Sequence, residues 1–239
     1  MTTTLKPPTK RPSGSEPILP LQNGDRLSRA EFERRYEAMP DLTKAELIEG
    51  EVHMPSPVSF LTDGEPHVNI VIWLGYYKVV TPGVRVGDNS TVRLDLDNEP
   101  QPDAFALIDP ECGGQARIGA EGYIEGAPEL VVEVSSSTVS IDMHKKLNAY
   151  RRNGVREYIV WRVLDNEIDW FVLRDGVFVR LDVDSNGLYP SEVLPGLVLD
   201  VASILAGDLR NVSEAVLKSV QSQAHADFVK KLNDAAARA

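Results

Sequence analysis

Cysteine is almost missing from this 239-residue chain: Cys112 is its only one. A lone thiol excludes an internal disulfide and any zinc site built on several cysteines, and a reducing cytoplasm is its natural setting. No apolar run approaches the ~20 residues that a membrane-spanning helix needs, so no membrane partner is expected. The opening stretch, "MTTTLKPPTKRPSGSEPILP", lacks the apolar core of a signal peptide. Positive charge is also scarce. Lys and Arg number 25 against 36 Asp and Glu, for a net charge of −11. Such a balance argues against broad electrostatic binding to a polyanion and leaves room for a local basic patch. What the chain does have is apolar mass, at 42% of residues. That is enough for a sizeable core.

Residues 1–24 are rich in Pro, Thr, Ser and Gly and read as a disordered tail. Residues 25–206 read as one domain and 207–239 as a helical C-terminal appendage, in which Leu209, Val212, Val216 and Val220 keep a helical period. Within the domain, Ser28 and Glu31 have capping-box spacing ahead of a helix. "AELIEGEVHMPSP" reads as a hairpin turning near Glu49-Gly50. "HVNIVIWLGYYKVVTPG" places His67, Ile70, Val71 and Leu74 on one helical face, and Pro82-Gly83 ends it. Val92, Leu94 and Leu96 alternate with polar residues, as in a half-exposed strand. Residues 109–127 read as a loop. "PELVVEVSS" is a dense buried strand, and "IDMHKKLNAYRRNG" a helix ended by Gly154. A strand series follows, broken at Asp165-Asn166 and at Asp175-Gly176, the second a strong hairpin signal. Strands with helices set between them indicate α/β or α+β, not a sandwich. The specific expectation is one sheet containing 92–97, 103–108, 129–134 and 157–163, with the 141–153 helix against it.

Three residues in this frame carry chemistry. In "QPDAFALI", Asp103 stands at the mouth of a strand that otherwise reads as core. A buried, unpaired carboxylate is costly, so Asp103 caps a turn, meets a cation or faces a cleft. In "ELVVEVSSST", period two puts Glu129, Val131, Glu133 and Ser135 on one face, so Glu133 is an acid within an apolar strand. On the next helix, at about 100° per residue, Met143, Leu147 and Tyr150 form the apolar stripe. Lys146 borders that stripe, and Lys145 points to solvent. Two carboxylates supply hard oxygen ligands for Mg²⁺ or Mn²⁺, and a lysine stabilises charge on phosphoryl oxygens. Together they are the equipment of metal-dependent phosphodiester hydrolysis.

The succession "QPDAFALI", "GAPELVVEVSSST" and "DMHKKLNAYRRNGVREYIVWRV" resembles the Uma family of restriction endonucleases, within the PD-(D/E)XK nuclease superfamily. "AELIEGEVHMPSP" and "LPGLVLDV" resemble that family's opening hairpin and closing segment, so the likeness spans roughly residues 27–205. It implies a restriction-endonuclease-like α/β core: a mixed central sheet flanked by helices, with an added N-terminal hairpin. It implies that Asp103 and Glu133 are the metal-binding acids, that Glu46 completes the cluster and that DNA is the substrate. It also brings the homodimeric habit of restriction-type enzymes. The short "ExK" pattern would put lysine at 135, where this chain has Ser135. The resemblance assigns that role to Lys146 of the following helix.

Each residue also has a structural reading. Asp103 suits a strand cap. Glu133 could pair with Lys146 or Arg162. Lys146 could snorkel, and Glu46 could be an exposed strand residue. His67 reads as a satisfied core or cleft histidine rather than a ligand. The run Ser135–Thr138 reads as a helix N-cap before Asp142, Cys112 as an inert loop thiol, and Trp161 and Trp170 as sheet packing. Lys145, Lys146, Arg151, Arg152 and Arg156 make the most basic stretch, equally an ordinary solvated helix face. Two functions therefore compete: a Mg²⁺- or Mn²⁺-dependent DNA endonuclease, and a non-catalytic nucleic-acid-binding or scaffold protein of the same fold. Glycoside hydrolysis by two acids is a weaker third, since it gives the lysine no role.

Overall fold

The computed structural model describes residues 17–54 and 57–239. Most of the stretch read as a tail, 1–16, lies outside the described residues. Its last part takes part in the fold: Leu21 is buried, and the Gly24 amide donates to the Val52 carbonyl. Helix α1 (Arg29–Glu37) follows Ser28, but the Ser28 hydroxyl makes no cap hydrogen bond. The expected partner, Glu31, binds the guanidinium groups of Arg34 and Arg35 instead. Charge-assisted bonds within the helix are stronger than a reach back to one amide. Strands β1 (Glu46–Ile48) and β2 (Glu51–His53) form the expected hairpin. Glu49 and Gly50 both have positive φ, the requirement of a two-residue turn matched to strand twist.

A wide helical turn, Phe60–Gly64, leads into α2 (Glu65–Val80), which buries Ile70, Trp73, Leu74 and Tyr77. Then come β3 (Val84–Asp88), β4 (Val92–Arg93), β5 (Ala104–Ile108), β6 (Arg117–Ile118), β7 (Ile124–Glu125) and β8 (Leu130–Ser135). A π-helical turn, Ile141–Lys146, runs into α3 (Leu147–Asn153), which ends at Gly154 with φ 82°. The chain continues through β9 (Glu157–Arg162), β10 (Glu167–Arg174), β11 (Val177–Arg180), β12 (Leu188–Pro190) and β13 (Val198–Asp200). It ends in α4 (Val201–Leu205), α5 (Leu209–Ser219) and α6 (Gln223–Ala236).

Six strands form the central mixed sheet in the order β11-β10-β9-β8-β5-β3. Every pair is antiparallel except β8 with β9. Parallel neighbours need a crossover, and α3 lies in the segment that provides it. The expected 92–97 strand is a correction. Only Val92 and Arg93 are extended, and they join β7 and β6 in a separate three-stranded sheet. The Asp95 carboxylate accepts from the Asp97 amide and the Asn98 side chain, which closes a tight turn and leaves Leu96 exposed. The central sheet takes β3 instead. The 109–127 loop likewise contains the short strands β6 and β7.

Alternation along β8 divides two cores. Leu130, Val132 and Val134 pack with α2, with Trp161 and Trp170, and with Val212, Val216, Phe228 and Leu232 of the C-terminal helices. Val131 faces the other way, among Phe105, Leu107, Tyr150 and Tyr158. Glu133 shares that second face.

Candidate active site

Strand register brings the two acids together. Ala104 pairs with Val132 and Phe105 with Val131, so Asp103, one step before β5, lies beside Glu133. The Asp103 Oδ2 accepts the Val134 amide at 2.8 Å, which fixes the carboxylate at the strand end. Its Oδ1 is 3.6 Å from Lys44 Nζ. Asp103 thus faces a cleft and meets a cation.

Lys146 is buried, 5% exposed, and central to the acids. Its Nζ is 2.9 Å from Glu46, 3.0 Å from Glu133 and 3.7 Å from Asp142. The Tyr150 hydroxyl donates to the same Glu133 oxygen at 2.8 Å. Glu46 also accepts the Gln101 amide at 2.7 Å. The π-helical turn supplies this lysine. The Asp142 carbonyl accepts from the Leu147 amide, five residues on, and from the Tyr158 hydroxyl at 3.0 Å. Lys145 points away, half-exposed, and pairs with Glu51 at 3.0 Å. Arg162 does not reach Glu133, and binds Asp165, Glu167 and Asp169 instead. The Ser135 and Thr138 hydroxyls donate to the Asp142 carboxylate, and no side chain accepts a cap hydrogen bond from an amide of this turn, so the N-cap reading of this run is corrected.

Four buried or cleft carboxylates surround one buried amine. Burial pushes the Glu133 carboxyl up to about 8; Lys146 pulls it back, and Asp103, Asp142 and Glu46 push it further up. Burial opposes ionisation of Glu46 as well, but Lys146 and then Lys44 hold it below the usual carboxylate range. Of the two acids that share Lys146, Glu133 is therefore the one pushed toward its neutral form. Burial disfavours the charged form of Lys146, yet Glu133, Glu46 and Asp142 raise its pKa well above the ordinary value. The amine stays protonated.

These groups line a cleft of about 370 Å³. His67 lines an adjoining pocket that shares Lys44, Asp63 and Asp103 with this cleft, and donates from Nε2 to the Asp103 carbonyl at 2.8 Å. Asp142, Lys44 and Tyr150 were not singled out as site residues from the sequence. Asp142 had a visible signal, the i,i+4 spacing to Lys146. Tyr150 was hidden in the apolar stripe, and Lys44 had no local signal. Among the described residues, no three His, Cys, Asp or Glu side chains are placed to hold a metal ion as they stand.

The model of the Uma2 family, described as putative restriction endonuclease, matches residues 29–202. The chain belongs to the Uma2 family. A solved structure of a putative nuclease belonging to DUF820 from Anabaena variabilis ATCC 29413 is 14% identical, with a TM-score of 0.49 over 77% of this chain and 97% of that one. No curated protein matches the chain. The Uma2 match starts within α1, spans the hairpin carrying Glu46, and ends just after β13, so it contains Asp103, Glu133 and Lys146. Helices α5 and α6 lie beyond it. Among the described residues of this Uma2 chain, no helix is long and apolar enough to cross a membrane.

Proposed function

We propose that this Uma2 chain is a divalent-metal-dependent endonuclease that hydrolyses DNA phosphodiester bonds in the reducing cytoplasm. The observation that carries the reading is Lys146, buried and bonded to Glu46 and Glu133 in the cleft that Asp103 enters. Carboxylate oxygens are the hard donors that Mg²⁺ and Mn²⁺ prefer, and Mg²⁺ is commonly held by one or two of them, with water and substrate oxygens completing its shell. Asp103 and Glu133 suit such a two-acid site. Burial, joined by the charges of Asp103, Asp142 and Glu46, pushes Glu133 up to about 8, and a dication would offset the charge repulsion. When bound, the ion polarises a phosphoryl oxygen and lowers the pKa of a coordinated water.

The chain's own residues do the rest. Asp103 is oriented by the Val134 amide through Oδ2, which leaves Oδ1 beside Lys44 in the cleft before any ligand arrives. Lys146 holds its proton, so it acts as a donor that assists water attack by stabilising phosphoryl charge, not as a base. Glu46 positions the Lys146 amine from β1 of the hairpin. The test is supercoiled plasmid incubated with the protein and Mg²⁺ or Mn²⁺, with and without EDTA. Nicking that EDTA abolishes supports the proposal. Intact plasmid across both metals would favour the scaffold reading.

A further inference from the structure

Helix α2, EPHVNIVIWLGYYKVV, carries apolar residues on its outer as well as its inner face and has charge only near its ends, at Glu65 and Lys78. Its inner face is buried, but Val68, Ile72, Tyr76 and Val79 are exposed, Val79 at 82%. A helix hydrophobic all round belongs in an interior; a surface helix normally turns charge outward. The outer residues Val68, Ile72, Gly75 and Val79 are spaced four, three and four apart, which is the seam of a helix that packs against another helix.

Gly75 gives a second, independent sign. Glycine within a helix is less stable than alanine, and a Cβ at this position would meet no atom within 4 Å. Nothing among the described residues requires the missing side chain. A close-approaching backbone or side chain from outside would. Run antiparallel against itself, the seam is its own complement: Val68 meets Val79, and bulky Ile72 meets the gap at Gly75. Two-fold interfaces demand such self-complementarity. The helix ends agree, since Glu65 lies in the first turn and Lys78 in the last, and antiparallel packing joins these opposite charges. One helix pair alone buries less than the ~1,000 Å² of a stable interface. Val58, Phe60 and Leu61, exposed at 80%, 70% and 70% just before the helix, extend the apolar surface.

We propose that α2 is the two-fold interface of a homodimer, with Ile72 of each copy seated over Gly75 of the other. This rests on α2 and is independent of the nuclease reading. Sedimentation velocity on the full chain at tens of micromolar should give twice the 26.4 kDa of one chain. Ile72→Glu and Gly75→Leu should each weaken the dimer at least 100-fold and leave the circular dichroism spectrum unchanged, since both positions face outward. A monomeric wild type overturns the proposal. So does a dimer that survives both substitutions. A monomer whose Tm falls sharply with Ile72→Glu would show that another part of this chain covers the face, and overturns it too.

Discussion

Lys145 and Lys146 share a peptide bond and almost nothing else. The first makes a half-exposed pair with Glu51, and the second is enclosed by Glu46, Glu133 and Asp142. Removing one partner of an exposed pair typically costs under ~1 kcal/mol, whereas removing the cation of a buried set leaves uncompensated charge worth about 3–5 kcal/mol. Thermal melts should therefore show Lys146→Ala strongly destabilised and Lys145→Ala nearly unchanged. In a nuclease assay run well below both melting temperatures, Lys146→Ala should lose ~10²-fold or more in turnover. Lys145→Ala should lose little, and less still as salt rises. Equal losses at the two positions would contradict the assigned role. The asymmetry was legible in the sequence from the helical wheel. Asp103 and Glu133 were legible as acids out of place in apolar strands. Lys44 was not, because it meets Asp103 only after the chain folds.

At the scale of elements, alternation worked where a strand is buried on both faces. The period of β8 puts Val131 and Glu133 opposite Val132 and Val134, and the two cores divide along that line. The same rule failed for Val92, Leu94 and Leu96, because the Asp95 turn interrupts the strand after Arg93. Helical period could not distinguish the π-helical turn from regular helix, since both keep Met143 and Tyr150 inward. Strand β9 carries a test of pH dependence. Glu157 opens it, buried, and accepts from the Ser191 hydroxyl and the Glu192 amide. Burial raises its carboxyl to about 7, against the opposing pull of those bonds. The folded state then retains a proton that the unfolded chain releases at the ordinary carboxylate value. Its contribution is full below that value and is lost as pH rises to about 7, on the order of 3–4 kcal/mol. Denaturant titrations of wild type and Glu157→Gln at pH 5 and pH 8 should show a smaller loss between the two pH values in the variant. The same loss in both would rule out Glu157 as the titrating group.

At the scale of the molecule, the net charge of −11 sets the terms for any polyanion. The most basic stretch is partly engaged within the protein: Lys145 pairs with Glu51, and Arg152 with Glu49. On the proposed reading, attraction to DNA would come from the cleft, where Lys44 and a bound dication would face the phosphate. The central claim is that Asp103 and Glu133 together take up a dication in the cleft. The most direct measurement is calorimetric titration of Mn²⁺ into the wild type and into Asp103→Asn, with circular dichroism to establish that both are folded. The account predicts saturable binding to the wild type and its loss in the variant. Equal binding to both, or none to the wild type, would contradict it.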